Sequence, residues 1–489
     1  MRARHSRSMS EIVAAPAASY PFLLNGEWIS DGSPVEIHSP FDHKVIGQVF
    51  YGSSAHVEAA IRASVEAFQI TRKLGSYERE RILSAISQKL SEQREDFAHT
   101  IALEAGKPIK TARQEVERAI YTFKVAAEES TRIEGEYLHL DTIEATKGRW
   151  GIVRRFPIGP IFAITPFNFP LNLVAHKLAP AIAAGCPVIL KPAPQTPITA
   201  LKLARVIHES GWPAGALTVM PLSNEDASLL VTDERIKLLT FTGSSIGWDL
   251  KSKAGKKRVL LELGGNAAII IHSDADLRFA AERCAHGAFG YAGQSCISVQ
   301  RILVEKSVYS EFRQMLVNAA GKLKTGDPLD EATDVGPLIR ESDALRAESW
   351  VKEAVAQGAT LLCGGTRKGS LLEPTVLTNT RPEMLVNCRE IFAPVVTVEA
   401  YDDFNEALRQ VNNSPFGLQA GILTRDAQRI FTAFNGLDVG GVVAGDVPTF
   451  RIDHMPYGGI KDSGLGREGV RYTIEEMTEP KLLVMNLGA

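Results

Sequence analysis

Residues 171–220 read LNLVAHKLAPAIAAGCPVILKPAPQTPITALKLARVIHESGWPAGALTVM, and this stretch decides the fold because two kinds of segment alternate in it. Residues 171–184 and 197–210 carry helical patterns, whereas 187–190 and 216–220 are short apolar runs typical of buried strands. This alternation is typical of βαβ units with a parallel sheet. The sequence therefore predicts an α/β fold in which ligands bind at the carboxyl ends of the strands.

The length of 489 residues is enough for two or three domains, each with its own core. A second series of strand and helix patterns begins after Gly265 and predicts a second α/β domain. Two segments contain a strand-like run with no neighbouring strand in the sequence, and such strands often pair with another subunit. The predicted parts are a disordered tail (1–19), a cofactor-binding domain (20–130 and 150–262), a catalytic domain (263–450) and a bridging element for oligomerisation (131–149 and 473–489).

Composition argues against several classes of function. Hydrophobic residues make up 45% and charged residues 23%, the net charge is -3, and no apolar run reaches the roughly 20 residues of a membrane span. Without a basic excess, nucleic acid is not an expected partner. The five cysteines are dispersed and form no CxxC pair, so we expect no metal site and a reducing, cytoplasmic location. Arginines within residues 1–10 also occur in transit peptides, but a sustained amphipathic pattern is absent and Met9 is an alternative start.

Two residues are candidates for covalent and base chemistry. Cys296 follows Gly293-Gln294-Ser295, and a cysteine thiolate is a good nucleophile towards a carbonyl group, although most single cysteines are inert core residues. Glu262 lies near the end of the apolar run 259–263, where burial would raise its pKa and suit it to act as a base. The alternative for Glu262 is an ion pair with the basic residues 256–258.

Three further stretches suit ligand binding. Asn168 lies between two prolines and two aromatic residues, which either orient its amide towards an oxyanion or hold an Asx turn. Lys191 follows a predicted strand, at the sheet edge where ligands bind. Gly243 and Ser244 lie where a strand passes into a helix, and small residues there let backbone amides approach a phosphate. Residues 464–469 match the G-x-G-x-x-G sequence pattern, but they lack the βαβ context of a dinucleotide-binding site.

Together, the motifs resemble the aldehyde dehydrogenase superfamily from about residue 20 to the end of the chain. Glu262 and Cys296 lie 34 residues apart, which is the usual separation in that family. The motifs that carry the resemblance are TPFNFP (165–170), Lys191 with its prolines, FTGSSIG (241–247), ELGG (262–265), GQSC (293–296), EIFAP (390–394) and PYGG (456–459).

The resemblance implies an NAD(P)-dependent oxidation of an aldehyde to its carboxylate. Cys296 would attack the aldehyde, Asn168 would help to hold the oxyanion, and Glu262 would activate water to hydrolyse the thioester. The implied cofactor-binding residues are Lys191, Gly243, Ser244, Glu390, Phe392, Thr165 and Phe167. The implied architecture is a Rossmann-like cofactor domain, an α/β catalytic domain and a small β bridging element that builds homodimers or homotetramers.

Three positions depart from the pattern that many family members share. Pro194 stands where NAD-preferring members carry a glutamate that would repel a 2′-phosphate, so both NAD and NADP remain open. Ala393 replaces a frequent glycine in the Glu390 motif. Gly445 stands where an asparagine is usual, which affects the far end of the substrate pocket.

A small polar or anionic aldehyde is the expected substrate. Asn172 and His176 follow Asn168 on one predicted helix face, although His176 is equally compatible with a core position. Within the family, this segment most resembles the lactaldehyde and non-phosphorylating glyceraldehyde-phosphate branches. The alternatives are a CoA-acylating enzyme, which generally lacks the base, a non-catalytic NAD-binding or structural member of the fold, and a redox-sensing module that uses Cys296.

Overall fold

The predicted α/β architecture is present in the protein. The computed structural model describes residues 18–486, which contain two large, mostly parallel sheets and smaller antiparallel ones. The strands at the centre of both large sheets are mostly apolar and are buried along their whole length, as expected for parallel sheets covered by helices. The predicted tail lies outside the described residues up to position 17, and the first strand, Ser19–Tyr20, already includes its last residue.

The first sheet has eight strands, and its five central strands are parallel. The four strands predicted between residues 160 and 241 all belong to this parallel part. In spatial order the strands are Gly464–Leu465, Arg258–Glu262, Leu238–Thr242, Ile161–Ile164, Val188–Lys191, Leu217–Val219, Phe22–Leu24 and Glu27–Ile29.

The second sheet has seven strands and contains the series predicted after Gly265. Its first strand runs antiparallel to its neighbour, and the remaining pairs are parallel. In spatial order the strands are Thr360–Cys363, Thr375–Thr378, Val395–Tyr401, Val299–Glu305, Ala267–Ile271, Gln419–Leu423 and Gly441–Ala444.

Helices cover the two sheets and bring polar residues to the sheet edges. The helix Asn172–Ala184 is buried along its whole length and ends at Gly185, whose φ of 84° is the left-handed conformation typical of a helix end. The α-helices are Ser54–Thr71, Ser76–Glu92, Arg94–Ala105, Ile109–Ser130, Asn172–Ala184, Pro197–His208, Asn224–Thr232, Ile246–Lys253, Leu277–Phe289, Tyr309–Ala320, Glu341–Ala356, Leu385–Cys388, Phe404–Asn412, Ala427–Gly436 and Val470–Glu476.

The two strand-like segments without sequence neighbours come together in one sheet. Thr478–Asn486 and Glu136–His139 pair antiparallel with opposite edges of Arg149–Pro157. Residues 150–157, which are predicted to belong to the cofactor domain, lie in this separate sheet because their strand forms a nine-residue ladder with Thr478–Asn486. Leu482, Leu483 and Val484 are at least half exposed on it. The proposed role of this sheet in oligomerisation remains a prediction.

The remaining strands are short and antiparallel except for one parallel pair. Within residues 18–486, no helix is both long enough and apolar enough to cross a membrane. The minor sheets are formed by Ser19–Tyr20, Val45–Tyr51 and Ser33–His38, by Arg367–Lys368 and Leu371–Leu372, and by Phe416–Gly417 and Ile460–Lys461; the 3₁₀ turns are Glu144–Thr146 and Gly290–Gly293.

Candidate active site

The carboxyl ends of four parallel strands bring several predicted residues to one edge of the first sheet. Ile164 is in register with both Lys191 and Phe241, and Thr242 is in register with Glu262. Thr165 N–H donates to the carbonyl of Lys191 at 3.2 Å, so the sheet pairing continues one residue beyond the strand. The edge expected to bind a ligand is therefore built from these strand ends.

A cavity of about 500 Å³ lies against this edge and is closed on the other side by loops of the second α/β part. Thr165 and Lys191 lie at the same edge, are nearly buried and do not line the cavity. Among the predicted residues, those that line it are Phe167, Asn168, Gly243, Ser244, Glu262, Cys296, Glu390 and Phe392.

Cys296 is presented to the cavity by a sharp turn of the chain. Tyr291, Ala292 and Gly293 have left-handed φ angles of 50°, 53° and 69°. A Cβ at Gly293 would lie 2.2 Å from the carbonyl oxygen of Ala393, so only glycine fits there. Burial raises the pKa of the Cys296 thiol to about 12, and the neighbouring hydroxyl of Tyr457 opposes this increase.

The amide of Asn168 is connected to the cysteine loop. Its Nδ2 donates to the carbonyl oxygen of Gln294 at 3.0 Å, a contact between residues 126 positions apart. This long-range bond favours the oriented amide over the local Asx turn. Since an amide nitrogen carries two protons, one remains for a ligand oxygen beside Cys296.

Glu262 is a buried carboxyl group without a cationic partner from its own segment. The alternative pairing with residues 256–258 is not found, because Arg258 binds Glu479 at 2.5 Å and Lys257 donates to Ala254. Burial raises the pKa of Glu262 well above its usual range, and the nearby Glu468 carboxylate adds to this effect. Within residues 18–486, its Oε2 has no hydrogen-bond partner.

Glu390 and two aromatic rings form one wall of the cavity. Glu390 accepts a hydrogen bond from the backbone N–H of Gly265 at 2.9 Å, and burial raises its pKa to about 7. The rings of Phe167 and Phe392 meet edge to face with centroids 6.0 Å apart. A Cβ at Gly264 would lie 2.4 Å from Glu390 Oε2, so this wall stays open only with glycine.

Five charged residues at the inner end of the cavity form a charged cluster, which sequence reasoning missed: Arg118, Lys177, Arg451, Asp453 and Glu468. Arg118 binds Asp453 with Nη2 at 2.7 Å and Nε at 3.2 Å. Arg451 donates to Glu468 at 3.1 Å, and Lys177 donates to the other oxygen of Glu468 at 3.3 Å. Arg118, Arg451 and Glu468 line the cavity itself.

Asn172 and His176 support this charged cluster from the helix face predicted for them. Asn172 Nδ2 and His176 Nε2 lie 3.0 Å and 2.8 Å from Asp453 Oδ1. Asn172 lines the cavity, whereas His176 is fully buried behind it and occupies the core position that was the alternative. Burial lowers the pKa of His176, which keeps the ring neutral at physiological pH.

Tyr457 is the remaining polar group beside Cys296. Its hydroxyl lies 3.0 Å from Cys296 Sγ. The guanidinium of Arg451 lies over its ring, with Cζ 3.7 Å from the ring centroid. The PYGG motif contains this residue, but nothing in the motif predicts the contact between its hydroxyl and the thiol.

Comparison with known proteins agrees with this site. A sequence profile described as Aldehyde dehydrogenase family matches residues 28–483. The chain is 43% identical over 472 residues to a 3-sulfolactaldehyde dehydrogenase of Priestia megaterium, covering 96% of this chain and 98% of the relative. It is 40% identical over 472 residues to a lactaldehyde dehydrogenase of Methanococcus aeolicus, with 95% and 99% covered.

Solved structures give the same result. Aldehyde dehydrogenase 21 from Physcomitrella patens, in complex with the reaction product succinate, matches with a TM-score of 0.95 and 47% identity over 97% of this chain and 100% of the other. A glyceraldehyde-3-phosphate dehydrogenase, GapN, from Methanocaldococcus jannaschii, complexed with NADP, matches with a TM-score of 0.89 and 38% identity, covering 92% and 99%.

The chain therefore belongs to the aldehyde dehydrogenase family. The predictions of fold, of family and of an NAD(P)-dependent oxidation of an aldehyde to its acid are confirmed. The relatives include the two branches named from the sequence.

Proposed function

We propose that the protein oxidises a small anionic aldehyde, with Cys296 as the nucleophile, Asn168 as an oxyanion donor and Glu262 as the base for hydrolysis. The observation that carries the choice of an anion is the excess of positive charge at the inner end of the cavity. The chemistry of the remaining residues follows from their positions around Cys296.

The cofactor side of the cavity suits NAD(P). Gly243 and Ser244 line the cavity just before the helix Ile246–Lys253, where small residues and backbone amides suit a phosphate. Glu390 uses one oxygen on Gly265, which leaves the other for ribose hydroxyl groups. We assign Lys191, Thr165, Phe167 and Phe392 to the same cofactor site, the first two as support at the sheet edge.

The nucleophile and the oxyanion donors converge on one point. Cys296 Sγ would attack the carbonyl carbon while the second Nδ2 proton of Asn168 and the backbone N–H of Cys296 hold the oxygen. NAD(P)⁺ supplies the acceptor for the aldehyde hydride, whose departure leaves the substrate as an acyl group on Sγ. The bond from Asn168 to Gln294 keeps the donor in place during these steps.

Glu262 is placed to activate water. Its buried carboxyl group faces the same cavity, and its Oε2 makes no hydrogen bond to any described residue. Once deprotonated, it would take a proton from water as that water attacks the thioester and releases Cys296. A base at this position supports hydrolysis over transfer to CoA.

The charge balance of the inner end favours an anionic substrate. In the charged cluster, three cations (Arg118, Lys177 and Arg451) face two anions (Asp453 and Glu468). Burial lowers the pKa of His176, which favours its neutral ring, and burial raises the pKa of Glu262, which favours its uncharged acid. The charged cluster therefore has one unbalanced positive charge, and it attracts an anion strongly because water is largely excluded there.

The two arginines have hydrogen-bonding capacity for such an anion. Arg451 Nε has no partner within the described part of the chain, and Arg118 uses Nε and Nη2 on Asp453. Arginine binds carboxylate, sulfonate and phosphate groups well because its donors are planar and always charged. A three- or four-carbon aldehyde with a terminal anion would reach from this end to Cys296.

We further propose that the protein works in the cytoplasm as a homodimer or homotetramer. The five cysteines are unpaired, which suits a reducing compartment. The exposed apolar residues Leu482, Leu483 and Val484 lie on a strand with a free edge, and this surface is the expected subunit contact.

Turnover of matched aldehydes tests the proposed function. Succinate semialdehyde and butanal have the same chain length but differ in the terminal carboxylate, so we expect kcat/KM to be at least tenfold higher for the former with NAD or NADP. Cys296→Ser is expected to abolish both activities. Equal rates would refute the anionic substrate, CoA-dependent product would favour the acylating enzyme, and silence with every aldehyde would favour the binding or sensing alternatives.

A further inference from the structure

Tyr457 is held firmly against the nucleophile. Its hydroxyl lies 3.0 Å from Cys296 Sγ, and the residue is 4% exposed. Its backbone exchanges two hydrogen bonds with Glu468, at 3.0 Å and 2.6 Å. Ile297 and Leu418 belong to the same small apolar cluster. The hydroxyl therefore stays at the thiol without the cost of ordering a mobile side chain.

The surroundings decide which of the two atoms donates. Burial and the carboxyl groups of Glu262 and Glu390 disfavour the Cys296 thiolate. The Tyr457 hydroxyl and the Arg451 guanidinium act in the opposite direction. Arg451 also lies 3.7 Å over the Tyr457 ring, where its charge makes the hydroxyl a better donor. The carboxyl group of Glu262 opposes this at Tyr457, and burial, which raises the pKa of Glu262, weakens the opposition by favouring the uncharged acid.

We propose that Tyr457 is a further catalytic residue, whose hydroxyl donates a hydrogen bond to the Cys296 thiolate and thereby increases the fraction of Cys296 that is present as the attacking thiolate. The thiol proton leaves to water and Tyr457 keeps its own proton, so the tyrosine stabilises the sulfur anion without transferring a proton. This proposal rests on the proposed role of Cys296 as the nucleophile.

Alkylation of Cys296 by iodoacetamide between pH 6 and 10 tests the proposal without any aldehyde turnover. In Tyr457→Phe the ring remains and only the hydroxyl is lost, so the fold is expected to persist. A hydrogen bond to a charged group is worth roughly tenfold or more in an equilibrium, so Tyr457→Phe should lower the alkylation rate roughly tenfold at each pH of this range.

Two controls define the signal. Cys296→Ser removes the label that belongs to this thiol and allows the other cysteines to be subtracted. Tyr401→Phe makes the same chemical deletion at a buried tyrosine whose hydroxyl donates to the carbonyl of Ile271, and Tyr401 does not line the cavity that contains Cys296. Its alkylation profile should match that of the unmodified protein.

The direction of the change decides the outcome. An unchanged profile in Tyr457→Phe would show that the hydroxyl does not stabilise the thiolate. Faster alkylation would show that the hydroxyl accepts from the thiol and holds it in the protonated form. Either result overturns the proposal, whereas loss of aldehyde turnover with a normal alkylation profile in the unmodified protein would count against the proposed function alone.

Discussion

Arg118→Met should separate recognition of substrate charge from catalysis. Arg118 lies on the helix Ile109–Ser130, lines the inner end of the cavity and is 30% exposed. Methionine keeps much of the side-chain length but removes the guanidinium and its charge. Cys296, Asn168 and Glu262 make no hydrogen bond to Arg118, so the chemistry itself should remain.

The size of the effect follows from the kind of contact that is lost. A hydrogen bond to a charged group is worth about 1.5–3 kcal/mol, and every 1.4 kcal/mol is a factor of ten. Thus kcat/KM for succinate semialdehyde should fall roughly 10- to 150-fold. Butanal has no terminal anion and therefore loses no contact with Arg118, so its kcat/KM should change by no more than about threefold.

The assay follows reduced nicotinamide with both aldehydes in parallel, and Arg113→Met is the matched control. Arg113 lies on the same helix and pairs with Glu95 and Glu331 at the surface. An equal decrease for both aldehydes would contradict the recognition of the substrate anion by Arg118, because it would mean that Arg118 acts only by holding Asp453. An unchanged ratio with normal activity would refute any contact between Arg118 and the substrate anion.

Three further substitutions give four tests of other parts of the site. Glu262→Gln should still produce one burst of reduced nicotinamide per subunit, and its steady-state turnover should then be at least 100-fold slower. A missing burst in rapid mixing would contradict the role of Glu262 in hydrolysis. Glu262→Gln should also be more stable than the unmodified protein at pH 8 but not at pH 4. The reason is that a carboxyl group whose pKa is raised in the folded state costs stability above its unfolded pKa. Equal melting temperatures at pH 8 would contradict this. Gly293→Ala should lose at least about 2 kcal/mol of stability and most activity, since it adds a Cβ 2.2 Å from a carbonyl oxygen at a φ of 69°; normal melting and turnover would show that the turn adapts. Pro194→Glu should lower kcat/KM for NADP roughly tenfold relative to NAD by repelling the 2′-phosphate, and an unchanged ratio would place the adenosine ribose away from residue 194.

The catalytic edge was predictable because it depends on local patterns. Short apolar runs predict the parallel strands, and parallel strands bring their carboxyl ends to one edge. Ile164, Lys191, Phe241 and Glu262 are placed there by register alone. The positions of Cys296 and Glu390 depended on resemblance, since no periodic pattern predicts that the loops of the second α/β part fold against the first sheet.

The charged cluster could not be predicted in the same way. Arg118 lies on a helix with an ordinary amphipathic pattern, and its partner Asp453 is 335 residues away in a loop. A charged residue on a helix is more often solvated than buried, so the sequence offers no reason to select Arg118. The pairing of the strand Arg149–Pro157 could not be predicted for a similar reason, because it depends on Thr478–Asn486 at the other end of the chain.

The proposed catalytic groups and the proposed anion-binding groups differ in what their substitution disturbs. The groups proposed for chemistry lie at or next to strand ends and on a strained turn, where a substitution disturbs the sheet edge or the position of Cys296. The groups proposed to bind the substrate anion, Arg118 and Arg451, lie on a helix and a loop, and they form ion pairs with Asp453 and Glu468. Arg451 is the exception, because it contacts both Glu468 and the ring of Tyr457 beside the thiol. Substitution of Arg118 should therefore alter substrate choice alone, whereas substitution of Arg451 should alter substrate choice and the reactivity of Cys296 together.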